Sequence, residues 1–431
     1  MLKFSIVVPI FLLVLGCSIA KAQPVNEVAE NQLAFQYFQN KEYEKAVVIY
    51  QKLFGGSNSK LYFSSYLKCL IELKQWEEGE KAIRKQMKQQ KNDPTYLIEL
   101  GYLYKLQQKE DKAKKIYEDA ISDLKADKNK IRLTANAFVA KQEFDYALLT
   151  YQQAIKYTGE PYHFELANIY AYKRQYQAMI DQYLDLISKD VTQRENVQTR
   201  LQPYVTSLDN PVRQLLKTSL YKRIQQPTGD QTTFTEILVW LLIQEKDFES
   251  ALVQVKALDR RRNESGDRVL EMADLAISNQ AYDVATKAYE YVLQKGTRSP
   301  LYYQAKTGYL TVLYDKVEKG FVNSYSEIEK IETQYKETIS EFGEGNSYPL
   351  ILKLAHLQAY YLDKTQNALQ LLEPLMQRRM LPDLMSQIKL EYADVLLVTG
   401  DIWEAALVYG QVENNYENSP IGSEARFRKS K

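Results

Sequence analysis

Few side chains in this chain have the types and spacing that covalent or metal chemistry requires. Its 431 residues include two histidines, His163 and His356, and two cysteines, Cys17 and Cys69. A zinc site needs three or four His, Cys or carboxylate ligands at short fixed spacings, and neither histidine has such neighbours. Gly55-Gly56-Ser57 and Gly343-Glu344-Gly345 lack the lysine and spacing of a phosphate-binding loop and read as turns. No G-x-S-x-G elbow presents a nucleophilic serine. Acidic pairs such as Glu77-Glu78 read as solvated helix starts. The expectation is a chain that catalyses nothing, holds no metal and needs no cofactor.

Composition narrows the classes further. Cys69 lies among Leu67, Leu70 and Ile71 and reads as a small buried hydrophobe. One cysteine in the folded part leaves no internal disulfide framework. Fifty-six basic residues stand against 55 acidic ones, a net charge of +1. A nucleic-acid footprint needs a basic excess or a basic face. The only short basic clusters, Arg260-Arg261-Arg262 and Arg426, Arg428, Lys429 and Lys431, read as solvated helix ends. Gly (16) and Pro (12) are scarce, which favours long uninterrupted helices.

Residues 1–22 read as a secretory signal. Lys3 starts it, Phe4 to Leu15 is its apolar core, and Ala20-Lys21-Ala22 is a small-x-small cleavage site before Gln23. Val14-Leu15-Gly16-Cys17 is a rival: it is similar to a bacterial lipobox, in which Cys17 would carry a lipid anchor. Either reading exports the chain, to the periplasm or the outer membrane.

The elements emerge from self-similarity. Tyr43, Ala46 and Tyr50 are spaced by three and four positions, which places them on one helical face. The figure returns at Phe144, Ala147 and Tyr151, and at Tyr282, Ala285 and Tyr289. Substituted versions begin at Trp76, Glu110, Tyr176 and Phe248. From Tyr43 the intervals are 33, 34, 34 and 32 residues, to Trp76, Glu110, Phe144 and Tyr176. A second helical pattern precedes each figure, with a small residue at Ala34, Gly101, Ala135 or Ala167. Each unit is therefore a helix, a short polar turn and a helix.

These units resemble tetratricopeptide repeats, in phase over roughly residues 27 to 425. The resemblance implies an all-α fold, a right-handed α-solenoid of helix-turn-helix repeats. Residues 27–190 form an N-terminal array of about five repeats, and 229–431 a C-terminal array. Between them 191–228, with Pro203, Pro211 and Pro227, reads as two or three helices without the alanine signature, either a hinge or a divergent repeat. Later pairs are expected at 301–318 with 325–342, 350–363 with 366–376, and 388–399 with 402–416. The stretch from Ala405 to Phe427 is similar to repeats of the periplasmic TolA-binding coordinator and the BamD-type assembly lipoproteins. A new first helix begins at Ser423; Ser423 to Lys431 reads either as a short cap or as the start of a truncated repeat, with truncation favoured over the cap.

In that family the first helices line a concave groove that grips peptides or partner proteins. Placing groove positions one residue after the small residue gives Phe35, Lys68, Tyr102, Asn136 and Asn168. Asn136 and Asn168 each offer a donor and an acceptor to an extended backbone. Arg132, one turn before Asn136, suits a carboxylate. Tyr102 and Tyr172 suit apolar contact. Glu165 stands where a full carboxylate clamp wants a neutral partner, so that clamp is incomplete. The expected partners are proteins or peptides, with no nucleic acid, and a membrane only through a lipid anchor. The alternative is a glycan or cell-wall binding module that stacks sugars on the exposed members of the chain's 34 tyrosines.

Overall fold

The structure, a computed structural model, describes residues 24–57, 59–207, 211–226 and 230–431. The leader and Cys17 lie outside the described residues. Among the described residues there are helices and no strands. The chain divides into two compact units, one up to Asp185 and the other Leu186–Lys431.

The first unit holds α1 (Pro24–Gln39), α2 (Tyr43–Ser57), α3 (Lys60–Glu72), α4 (Trp76–Gln89), α5 (Thr95–Leu106), α6 (Glu110–Ser122), α7 (Lys128–Ala140), α8 (Phe144–Thr158), α9 (His163–Tyr172) and the start of α10 (Tyr176–Lys189). The second holds α11 (Arg194–Thr206), α12 (Val212–Ile224), α13 (Gln231–Gln244), α14 (Phe248–Arg262), α15 (Asp267–Ser278), α16 (Tyr282–Leu293), α17 (Tyr302–Glu318) and α18 (Tyr325–Phe342). It continues with α19 (Tyr348–His356), a π-helical turn (Leu357–Tyr361), α20 (Thr365–Met376), α21 (Pro382–Thr399), α22 (Ile402–Asn415) and α23 (Pro420–Ser430). Consecutive helices pack as hairpins, and alternate helices such as α5 and α7, or α19 and α21, also touch. Each unit is thus a stack of helical hairpins, the arrangement of an α-solenoid.

The periodic residues form the contact surfaces. Ala34, Ala46, Ala135, Ala147, Ala167, Ala251 and Ala285 have no exposed surface. Tyr50, Tyr117, Tyr151 and Tyr289 fill the seams beside them and are buried too. In place of an alanine, Gly101 lies directly beneath the Tyr117 ring, which itself meets Phe138 edge-on at 5.1 Å. Close backbone approach at these small residues admits large aromatic plugs, and burial of those plugs drives the stacking.

The hairpin turns share a conformation that sequence does not advertise. Lys41, Lys74, Gln108, Gln142, Arg174, Lys246, Gln280 and Asp363 all have φ between 53° and 61°. Each lies two residues before the opening residue of a second helix. The next N–H reaches back to close the first helix: Glu42 to Tyr37 at 2.8 Å, Lys109 to Tyr104 at 3.0 Å, Glu143 to Phe138 at 2.9 Å. This is the Schellman closure usually given to glycine. Here long polar side chains accept the left-handed conformation at roughly 1 kcal/mol each, while Gly320 after α17 and Gly400 after α21 supply it as glycines.

Several boundaries differ from expectation. Gly55-Gly56 is no turn but the last stretch of α2, exposed and with open space around both residues. The divergent segment holds α11 and α12, within the two or three helices expected there, with Pro203 inside α11 as Pro374 is inside α20. The expected helix 350–363 gives way at His356 to a π turn that buries Gln358. Pro382 starts α21 six residues before the expected Ile388, because proline suits a first helical turn. Pro420 likewise opens α23 three residues before the expected Ser423, with the Ser419 hydroxyl accepting from the Gly422 N–H.

Candidate functional site

The groove residues expected on α7 and α9 project from the sides of those helices that the core leaves open. On α7, Ile131, Ala135 and Phe138 are buried, while Arg132 and Asn136 are exposed. On α9, Leu166, Ala167 and Ile169 are buried, while Glu165 and Asn168 are exposed. The buried residues Ile131, Ala135, Phe138, Leu166 and Ile169 belong to one core cluster, together with Tyr151 of α8. Tyr151 also ties the two exposed faces together electrostatically. Burial first, then the Glu165 carboxylate, push its phenol up to about 12, and Arg132 opposes that rise. Arg132 and Glu165 therefore lie within electrostatic reach of one hydroxyl.

Among the described residues, Arg132, Asn136, Asn168 and Glu165 make no hydrogen bond or ion pair with the rest of the chain. Their charged surroundings behave differently. Lys141 pairs with Glu99 at 2.7 Å, Lys105 with Glu143 at 2.6 Å, and Lys173 with Asp145. Each of these pairs joins one repeat to the next. The rim charges are spent on inter-repeat contacts, and the amides and Arg132 keep their full bonding capacity.

The tyrosines expected in the groove each lend a ring face to packing. Tyr102 is half-buried, with the Lys141 ammonium 4.7 Å above its ring centroid, so one ring face is engaged within the fold. Tyr172 is 62% exposed, yet one face stacks on Phe144 at 5.7 Å. Tyr303 rests on Phe342 at 4.7 Å, and Tyr360 on His356 at 4.3 Å. Each of these exposed tyrosines lends one ring face to packing. Phe35 and Lys68, the other groove positions, are exposed.

Two features were not read from the sequence. A cavity of about 360 Å³ opens between α11, α13 and α15, floored by Val239, Ile243 and Leu275. Beside it Glu236 receives Arg194, Arg268 at 2.9 Å and Arg262 at 3.5 Å. Arg262, expected to be a solvated helix end, is thus part of a network; only the long-range contact reveals it. The second feature is the lining of His356, whose Nδ1 lies 3.0 Å from Glu391. His163 is buried against Gln182 at 3.0 Å. Among the described residues no group of His, Cys, Asp and Glu could hold a metal ion, and no helix is long and apolar enough to cross a membrane.

No family model matches this sequence, and no curated protein sequence matches it. Some solved structures show local likeness. A tetratricopeptide repeat protein from Parabacteroides merdae is 16% identical, covering 73% of this chain and 99% of its own, with a TM-score of 0.30. The yeast Tom70 structure is 11% identical over 94% of this chain and 95% of its own, with a TM-score of 0.24. A Naa15/Naa10 structure bound to HypK-THB is 15% identical with a TM-score of 0.25; this chain spans 93% of its own length and 65% of that one. Such low scores carry no argument, and the fold stands on the hairpin packing described above.

Proposed function

We propose that the protein is a non-catalytic scaffold that binds a partner protein or peptide on the exposed face of α7 and α9. The carrying observation is the contrast between spent and unspent polar groups. Arg132, Asn136 and Asn168 sit on helices with no internal side-chain partner, while Lys105, Lys141 and Lys173 are paired between repeats. Rigid side chains with free donors and acceptors engage a peptide backbone with little further ordering. Arg132 supplies a fork for a carboxylate of the partner. The incomplete charge pattern beside Glu165 favours backbone recognition over a strict terminal-carboxylate clamp.

Each amide contact to a peptide contributes roughly 0.5–1.5 kcal/mol. Replacing both Asn136 and Asn168 by alanine is therefore expected to weaken binding by roughly fivefold to a hundredfold. The test is capture from envelope extract by wild type and by Asn136→Ala/Asn168→Ala, followed by affinity measurement on the captured partner. Equal recovery of every partner by both proteins, at equal thermal stability, contradicts the assignment.

We further propose that residues 1–22 export the chain to the periplasm or outer membrane. The mass of the mature N-terminus decides it: a start at Gln23 means soluble release, a lipidated Cys17 means anchoring, and an intact Met1 refutes export.

A further inference from the structure

The repeat register exposes one residue of the wrong kind. The position after the opening residue of each second helix is Glu44, Glu77, Asp111, Asp145, Gln177, Arg213, Glu249, Asp283, Ser326 and Gln366 in successive hairpins, polar every time. In α22 the same position is Trp403. It is 90% exposed. The position faces outward even where another helix follows: the Asp145 and Asp283 side chains stay 81% exposed while pairing with Lys173 and Lys316 at the end of that helix.

Trp403 is not isolated. Leu407 lies one turn on along the same helix, Ile402 precedes it, and Val398 approaches from α21 across the Gly400 turn; all three are exposed. Together the four side chains present roughly 400–500 Å² of apolar surface, at the upper end of what monomers leave uncovered. Two such patches face to face, with their rims, bury roughly 1,000 Å², the lower bound of a specific interface.

Charge selects the occupant. Asp401 and Glu404, both exposed, flank the indole on α22. An anionic lipid surface would meet those carboxylates first and be repelled. On α23, Arg426 and Lys429 both lean on the single carboxylate of Glu413, at 2.8 and 3.2 Å, which leaves that flank with one net positive charge. An acidic flank, an apolar centre and a basic flank form a self-complementary surface under two-fold symmetry. We infer that the protein self-associates through an isologous contact of two copies centred on Trp403 and Leu407. The contact is independent of the α7–α9 face.

Analytical ultracentrifugation of the purified protein tests this. Wild type is expected to dimerise increasingly with concentration, more weakly at high salt. Trp403→Glu restores the residue type that other repeats carry at an outward position, so the fold survives it, as circular dichroism will verify. That variant is expected to associate at least tenfold more weakly. Glu404→Lys is expected to weaken association as well, and Glu404→Lys/Lys429→Glu to recover part of it. A wild type that stays monomeric at roughly 100 μM overturns the inference, as does a Trp403→Glu variant that dimerises normally. Flotation of monomeric wild type with phosphatidylcholine–phosphatidylserine vesicles, lost in Trp403→Glu, overturns it in favour of a lipid partner.

Discussion

Replacing Gly101 by alanine probes the packing that sets the whole array. A Cβ built at Gly101 falls 2.3 Å from Tyr117 Cε1 and 2.7 Å from Cδ1. Carbon atoms in contact need roughly 3.5 Å, so the ring must retreat by about 1 Å. It has nowhere to go, since Tyr117 is fully buried between Phe138 and Tyr146, with ring centroids at 5.1 and 4.8 Å. Overpacking of this kind costs about 1–3 kcal/mol. The better helix propensity of alanine offsets roughly 1 kcal/mol of that. The tight surroundings favour the upper part of the range, a net destabilisation of about 2 kcal/mol. For a unit of this size that lowers the melting temperature by roughly 4–8 °C, read by circular dichroism at 222 nm. The control is the same substitution in a Tyr117→Leu background, where the clash is gone and Gly101→Ala should become neutral or stabilising. A higher melting temperature for Gly101→Ala in the wild-type background refutes the close approach of α5 and α6.

Three further outcomes follow from the same packing. The Tyr117 hydroxyl is buried without a hydrogen-bond partner, so Tyr117→Phe is expected to raise stability by about 1 kcal/mol in denaturant titrations. Glu332 is buried and receives Lys336, Lys364 and Gln358; burial opposes its ionisation, but those donors win and hold its carboxyl down at about 2. Because the folded value lies below the unfolded one, the stabilisation is complete above pH 4.5 and is lost as pH falls toward 2. Thermal melts between pH 5 and 2.5 should therefore drop more steeply for wild type than for Glu332→Gln. Burial pushes the Cys69 thiol up to about 11, so peptide mapping should find it alkylated only after unfolding.

The sequence carried the helices and their order because the core needs a small residue and an aromatic at fixed helical spacings. Ala46, Ala147 and Tyr50 meet that need visibly. The turns were less legible. Lys41, Gln108 and Gln142 adopt the left-handed conformation that reading by residue type reserves for glycine, because the hairpin packing on either side fixes it. Pro203 sits within α11, held by the packed face of Val197, Leu201 and Val205. The exposure of Asn136 and Asn168 was legible by counting from a buried alanine, because local periodicity fixes the open face of a helix. The engagement of Tyr102 by Lys141 and of Tyr172 by Phe144 depends on neighbouring repeats, so sequence spacing alone made both look freer than they are. The Arg194–Glu236–Arg268 network joins residues dozens of positions apart and left no local trace.

Site-specific photocrosslinking tests the partner face most directly. With benzoylphenylalanine at position 136, or at position 115 on the exposed side of α6, irradiation in envelope extract should join a partner at 136 and not at 115. Adducts at 115 with none at 136 would contradict the proposal that the open face of α7 and α9 receives the partner.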